Sequence, residues 1–461
     1  MIRYSFILLA SITAVLIPLC SQADAVQVAE VVQESVDNRS VDSDQAALPP
    51  LAFHLTPWMS MGAAFKLTMT EGENVDVVGT TPAKQRSVES LLTTTAAFAI
   101  TPDVGIFMAA ELLHSDKTER EPLTERKIST AYIVWNQILS QPLTLQIGRQ
   151  RFSDERQWLF DENLDGVSLQ FRRGRLVSEL SGSRHLNPKS DKEALDNYVL
   201  RSDFHFTSQD RLGMYAFYRK DPINKKSDRE YLGLSGETRL SGHKLWLEAV
   251  SLAGDNGSRQ RQAYAVDTGL TLRFGKARGW SVTLAHAIGS GDRHSSDNRD
   301  QTFRQTGLDD NEARFNGITK FKYYGVVSDP ELSNLQIATV GVGLSEKRRY
   351  SIDLVYHAYE QRVASSRFRS KIIQAPKGED RTLGAELDLI LGLRTGRYLT
   401  VYGMVGVFNP GAAFEGGDSV LFAEAQLKLS AAPSASAKAA SSAKESFQRT
   451  PIRAYPPPPI D

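Results

Sequence analysis

Apolar and polar side chains alternate along most of residues 51–430, while the 3.6-residue spacing of an amphipathic helix is nearly absent. In segment 382–394, for example, leucines occupy one face, and Glu386 and Asp388 lie on the other. The same period of two recurs in segments 263–274, 350–358 and 419–429. This pattern predicts β-strands that each carry one apolar and one polar face.

Turn and loop signals divide this region into eighteen predicted strands. They cover residues 56–71, 87–101, 104–115, 126–138, 143–152, 165–173, 175–185, 196–207, 210–220, 229–240, 243–254, 261–275, 280–291, 334–345, 349–361, 380–395, 398–411 and 419–430. Connections after even-numbered strands are tight, and those after odd-numbered strands are mostly longer, the longest covering 292–333. This asymmetry is typical of outer-membrane barrels. We therefore predict an all-β fold, a transmembrane outer-membrane β-barrel of about 18 antiparallel strands around a water-filled lumen.

Composition narrows the class of protein further. The 461 residues include 54 Lys and Arg against 54 Asp and Glu, so the chain lacks the basic excess of a nucleic-acid binder. Beyond the N-terminus there is no apolar run of ~18 residues, which excludes a bundle of membrane-spanning helices. A mean hydropathy of −0.31 suits a barrel, because alternating strands average to a mildly polar chain. The motifs of zinc proteases, serine hydrolases and nucleotide-binding loops are absent, so we expect no enzymatic activity.

The two ends of the chain differ in composition from the predicted barrel. Residues 1–25 have the basic, apolar and small-residue regions of a signal peptide, with cleavage expected after Ala25. Residues 26–50 form an acidic segment that we expect to be a disordered leader. Residues 431–461 are rich in Ala, Ser and Pro and are expected to be a flexible tail.

The segment 148–166 holds the densest set of candidate binding residues. Arg149, Arg151 and Arg156 lie beside aromatic and amide side chains. Guanidinium groups bind carboxylates through two hydrogen bonds, and aromatic rings cover sugar faces, so the segment is a candidate site for an acidic sugar. An alternative is a solvated loop whose arginines pair with its own acidic residues.

The same segment contains the first half of a calcium-loop pattern, Asp161-x-Asn163-x-Asp165-Gly. Arg172 occupies the position where an EF-hand needs Glu, which excludes a complete EF-hand. A structural Ca²⁺ held by Asp161, Asn163 and Asp165 remains an alternative, and no other cofactor is expected.

Several motifs, taken together, resemble the alginate export proteins of Gram-negative outer membranes. They are Leu-Gln-Ile-Gly-Arg-Gln at 145–150, Asp-Glu-Arg-Gln-Trp at 154–158, Asp161 to Gly166, Phe-Arg-Gln-Thr-Gly-Leu at 303–308 with Asp310-Asn311, Tyr324-Gly325, Asp-Pro-Glu-Leu-Ser-Asn-Leu at 329–335, and Phe-Asn-Pro-Gly-Ala-Ala-Phe at 408–414. The resemblance implies an eighteen-stranded barrel that passes an anionic exopolysaccharide through an arginine-lined constriction. By position in these motifs, the constriction residues are Arg149, Arg151, Arg156 and Arg304. Alternation alone adds Lys66 and Arg201.

The resemblance implies export of alginate or a similar uronate-containing polymer, which we expect to be passive and selective. The expected partners are the outer-membrane bilayer, the anionic polysaccharide or oligosaccharide, and periplasmic export proteins, with no nucleic acid; we expect a monomer. Uptake of small anionic solutes by a porin is the alternative within the same class. An outer-membrane barrel enzyme is disfavoured. The chain departs from the family in running past its last strand and in its short connection near residues 396–397.

Overall fold

The computed structural model describes residues 51–430, except residues 52, 57, 74–84, 119, 155, 189–193, 208–209, 223–226, 276–277, 295, 347–348 and 397. The predicted signal peptide 1–25, leader 26–50 and tail 431–461 lie outside the described residues. Within the described part, no helix has the length and apolar character needed to cross a membrane. A single turn of 3₁₀ helix covers Ile138–Ser140.

Eighteen antiparallel strands form a closed barrel. We number them β1 to β18: Met59–Glu73, Gln85–Ala99, Val104–Lys117, Leu123–Trp135, Leu143–Ser153, Asp161–Arg173, Leu176–Arg184, Asp196–His205, Arg211–Lys220, Arg229–Leu240, His243–Asn256, Arg259–Phe274, Arg278–Gly289, Leu335–Glu346, Tyr350–Gln361, Thr382–Thr395, Leu399–Pro410 and Val420–Ser430. Each overlaps one of the predicted strands. The predicted fold and strand number are therefore confirmed.

Each strand pairs with the next in sequence, and β1 pairs with β18 from Ala64 opposite Ser430 to Glu73 opposite Leu421. Closure gives every strand a partner on both sides, although β4 and β5 pair only from Ala131 opposite Arg149 to Trp135 opposite Leu145. Four short strands accompany the barrel in the described part of the chain. Phe53–Thr56 pairs with the start of β1, Arg299–Asp300 runs parallel to the start of β12, and Glu312–Ala313 pairs with Phe321–Lys322.

The alternation is inverted relative to a soluble β-protein. On β10, Leu232 and Leu234 are exposed on the outer face, while Ser235 and Glu237 are buried on the inner face. Neighbouring strands show the same arrangement, because directly opposed residues in an antiparallel pair share a face. An apolar exterior with a polar interior is the arrangement expected of a barrel in lipid.

The connections separate into a short-turn rim and a long-loop rim. Residues 174–175 and 241–242 make two of the short turns, whereas 290–334 and 362–381 are the longest connections at the opposite rim. Exposed aromatic side chains lie near the short-turn rim, as an aromatic girdle would place them: Trp135, Trp280 and Tyr398.

Residues 301–334, which we call the plug, fold into the lumen. Phe315 stacks on Trp246 of β11 with ring centroids 6.0 Å apart. Deeper in the lumen, the Ile318 amide donates to Ser351 Oγ at 3.0 Å, close to the short-turn rim. The plug therefore extends through most of the depth of the barrel and packs mainly against β10–β17.

The plug occupies much of the lumen, which the sequence predicted to be an aqueous channel. Inward side chains along β10–β16, such as Trp246, Val355 and Ile390, are fully buried beneath it. By contrast, inward side chains are only half-buried on β18 and on the halves of β1 and β2 nearest the long-loop rim. Lys66 and Glu424 are examples. We call this less occupied side of the lumen, along β18, β1 and β2, the free path.

Candidate anion-binding site

A row of arginines lies on the inner face at the long-loop rim. Arg219 at the end of β9 is directly opposite Arg229 at the start of β10. Arg229 is opposite Gly254 of β11, and Gly254 is in turn opposite Arg261 of β12. The register therefore places three guanidinium side chains at one level across four adjacent strands. We call Arg219, Arg229 and Arg261 the arginine row.

Glycine at position 254 leaves room within this row. Its φ of +124° is a conformation that other residues rarely adopt, and a Cβ there would lie 2.2 Å from the carbonyl oxygen of Asp228. A side chain at position 254 is therefore excluded, and the register position between Arg229 and Arg261 holds only backbone.

The arginine row is buried without full compensation. Arg219 and Arg261 are 6% and 5% exposed. Within the described part of the chain, Nε of Arg219 and both Nε and Nη1 of Arg261 are buried without a hydrogen-bond partner. Like charges directly opposed across strands repel one another, and buried N–H donors without acceptors are costly. An anion bound between these side chains would relieve both penalties.

The plug supplies the facing side of the site. The Tyr231 hydroxyl, one inward position below Arg229, lies 3.2 Å from the carbonyl oxygens of Arg304 and Gln305. Arg229 Nη1 also donates to the Gln305 carbonyl at 3.4 Å. These contacts hold Arg304 against the arginine row. Burial, only partly offset by Glu331, lowers the pKa of Arg304.

Together these groups border a cavity of about 820 Å³. It is lined by the arginine row, Arg304, Lys322 and Arg369, and by acidic side chains at Asp221, Asp309, Asp310, Asp329 and Glu331. Most of these carboxylates are already engaged: Glu331 pairs with Arg304 and Arg369, and Asp310 and Asp329 pair with Lys322. The cavity thus has a basic wall facing an acidic plug, and the N–H donors without partners belong to the basic residues.

Asp309 is the acidic residue whose charge is most sensitive to this environment. Its Oδ1 accepts the Gly307 amide at 2.9 Å, and its Oδ2 accepts Asn311 Nδ2 at 3.2 Å. Burial raises the pKa of Asp309 to about 7 despite these hydrogen bonds.

Three of the predicted constriction residues lie on the inner side of the barrel. Arg304 lines the cavity. Lys66 shares the inward face of β1 with buried Ser60 and Ala64. Arg201 is also inward on β8, where its Nε is 2.6 Å from Asp203.

Arg149 and Arg151 lie elsewhere, contrary to the prediction that they line the constriction. Gln146 and Gln150 are buried on the inner face of β5, so alternation puts the two arginines on the outer face, with exposed Ile147. Asp165 holds Arg149 at 3.1 Å, and Asp161 of the same strand holds Arg151 at 2.5 Å.

Arg156 is a structural brace rather than a residue exposed to the lumen. It is 5% exposed and pairs with Asp267 of β12 at 3.1 Å. Its guanidinium lies 4.7 Å from the Trp246 ring centroid and 4.3 Å from that of Tyr323. Burial acts to lower its pKa, but Asp267 and the nearby tyrosines outweigh burial and raise it. Arg156 therefore ties the 154–160 connection to the wall and the plug.

The calcium-like pattern forms part of a strand and not a loop. Asp161, Asn163 and Asp165 lie in β6, opposite Ser153, Arg151 and Arg149 of β5. The arginines occupy both carboxylates. No group of three or more His, Cys, Asp or Glu side chains in the described part of the chain is arranged to hold a metal ion. The geometry therefore gives the Ca²⁺ alternative no support.

Sequence reasoning missed the arginine row, although a signal for it was present. Every second residue along a strand lies on the same face. Counting in this way from buried Asp267 toward the long-loop rim leads to Arg261, and counting from buried Tyr215 leads to Arg219. The plug also had a signal, because the 292–333 connection contains Phe303, Phe315 and Phe321, which are unusual in a solvated loop.

The chain is similar to known proteins of one family. Residues 57–425 match the family model described as alginate export. The chain is 33% identical over 178 residues to the alginate production protein AlgE of Pseudomonas aeruginosa and 30% identical over 138 residues to that of Azotobacter vinelandii. These matches cover 37% and 28% of this chain but only 35% and 28% of the relatives. A longer match, 21% identical over 349 residues, covers 59% of this chain and 68% of AlgE from Pseudomonas syringae.

Solved structures with a similar fold include Pseudomonas aeruginosa proteins. OccD3 (OpdP) has a TM-score of 0.54 at 11% identity, with 85% of this chain and 97% of that chain covered. OccK2 (OpdF), solved in complex with glucuronate, has a TM-score of 0.53 at 13% identity, with 80% and 98% covered. Identities this low show the shared barrel fold alone.

Proposed function

Because the chain belongs to the alginate export family and forms an outer-membrane pore, we propose that it exports an anionic, uronate-containing polysaccharide passively. The observation that carries the proposal is the arginine row with its buried N–H donors without partners, facing Arg304 across a cavity of about 820 Å³. Guanidinium groups spaced along a wall suit a polymer that carries one carboxylate on each sugar.

The position of the site supports export. The long-loop rim faces the cell exterior in outer-membrane barrels, so the cavity lies at the outer end of the lumen. The free path opens at the same rim. Positive potential from the basic cluster raises the local anion concentration there and draws an anionic chain toward the exit, without an energy source in the barrel.

Planar bilayers with the purified protein test this proposal. We expect an oligouronate to interrupt the ion current through the native pore, and a neutral glucan of the same length to interrupt it far less. The double variant Arg261→Gln with Arg304→Gln should lose most of this block. The matched control is Arg149→Gln, which removes an arginine from the outer face. Equal block of the double variant and the native pore would overturn the proposal.

Uptake of small anions is the competing function, and the same recordings separate the two. A pore built for uptake would respond to a single uronate as strongly as to the oligomer. Growth on a uronate as carbon source, with and without the protein, provides the second comparison. Dependence of growth on the protein, together with equal responses to monomer and oligomer, would favour uptake over export.

A further inference from the structure

Two buried carboxylates on β16 hold the plug through its backbone. Glu386 Oε1 accepts the Val327 amide at 2.7 Å, and Glu386 Oε2 accepts the Ser328 amide at 3.0 Å. Asp388 Oδ2 accepts the Val326 amide at 3.2 Å. Three consecutive amides of the plug are thus bound by side chains of the wall.

Two hydroxyl groups complete this contact. Ser328 Oγ donates to Glu386 Oε2 at 2.6 Å. The Tyr359 hydroxyl of β15 donates to the Tyr324 carbonyl oxygen at 2.8 Å and lies 3.1 Å from Glu386 Oε2. We call this set of contacts, centred on Glu386 and Asp388, the latch.

The latch is fully buried, so water cannot replace it. Glu386, Asp388 and Tyr359 are each at most 2% exposed. Buried amides need acceptors, and carboxylate acceptors are stronger than neutral ones. If the carboxylates were neutralised, residues 326–328 would retain weaker acceptors or none.

The direction in which a released plug would move follows from its surroundings. The β15–β17 wall closes one side of residues 324–329, and Gly406 of β17 lies directly against Val326 and Val327. The free path along β18, β1 and β2 lies on the other side of the lumen. Released residues would therefore move into the free path and obstruct it.

We propose that Glu386 and Asp388 are positioning residues that hold the plug against the wall and keep the free path open. The role rests on the geometry of the plug and is independent of which anion the pore passes. The plug is not part of the eighteen-strand ladder of the barrel. The latch therefore has a role in conduction that is separate from the stability of the barrel.

Single-channel recordings in KCl alone test the latch without any polysaccharide. Glu386→Gln replaces one of the two accepting oxygens with an NH₂ group, which donates, with almost no change in volume. We expect brief closures to become about tenfold more frequent or more, because a buried backbone amide is left without its acceptor. The matched control is Glu360→Gln on β15, because Glu360 pairs with Arg381 at 2.7 Å and is 42% exposed.

A second variant displaces the plug without changing charge. A Cβ at position 406 would lie 2.5 Å from Asp388 Oδ1 and 2.6 Å from side-chain atoms of Val326 and Val327, so Gly406→Ala should disturb the latch, push the plug off the wall and produce the same closures. Gly403→Ala on the same strand is the control, because a Cβ there has no neighbour nearer than 3.8 Å. Only variants that run as heat-modifiable barrels are compared. Native closure frequency in both Glu386→Gln and Gly406→Ala, or equal closures in the controls, would overturn the proposal.

Discussion

At the scale of single residues, arginines of the same chain have three different roles. Arg149 neutralises Asp165 on the outer face, Arg156 braces the interior through Asp267, and Arg261 lines the cavity. What separates these roles is the face of the strand and the distance to a carboxylate. The density of arginines along the sequence is a poor guide to either.

Removing the Arg156 side chain tests its role as a brace. Arg156→Ala leaves Asp267 buried without its charge partner, which costs about 3–5 kcal/mol of unfolding free energy. Arg149→Ala removes a pair that is partly exposed, and we expect a loss of about 0–1 kcal/mol. Urea unfolding in lipid vesicles, followed by tryptophan fluorescence, measures both losses. Similar small losses in the two variants would contradict the assignment of Arg156 as a brace.

At the scale of elements, the period of two together with the turn and loop signals predicted every barrel strand. The strands follow from local alternation, because lipid on one side and a polar lumen on the other impose it. The path of the plug does not follow from alternation. Arg156 and Asp267 are 111 residues apart in sequence, and no spacing pattern relates two residues joined only by tertiary packing.

The outward orientation of the strands gives a prediction about lipid contact. Leu234 lies in the middle of β10 on the exposed face, so Leu234→Arg should cost about 2–4 kcal/mol of unfolding free energy in a bilayer. Leu212, on the same face near the short-turn rim, should tolerate Arg at a cost of about 0–1 kcal/mol. Urea titration in vesicles provides the comparison. A smaller cost at position 234 than at position 212 would be inconsistent with this orientation.

At the scale of the whole molecule, the equal numbers of acidic and basic residues conceal a separation of charge. The cavity sets three wall arginines against a plug that carries most of the facing carboxylates. Net charge reports on solubility and says nothing about a local field of this kind. The sequence therefore predicted the barrel and its polar lumen. It did not predict that basic residues of the wall face acidic residues of the plug, because that arrangement depends on how the long connection folds.

This separation of charge predicts a dependence of selectivity on pH. The pKa of Asp309 is about 7, above its ordinary value, so the carboxylate takes up a proton as the pH falls from 8 to 6. Loss of its negative charge near Arg219 should make the pore more selective for anions at pH 6. Zero-current potentials at pH 8, 7 and 6 measure the change. Asp309→Asn should remove most of the dependence, and an unchanged slope in this variant would assign the titration to another group.

The claim that the arginine row makes this outer-membrane pore selective for anions is tested most directly by the zero-current potential in a KCl gradient. The native pore should give a potential of the sign set by chloride permeation. Arg219→Gln with Arg261→Gln should move that potential toward zero, and Arg149→Gln should leave it unchanged. A native pore that prefers potassium, or a double variant with the native potential, would contradict the account.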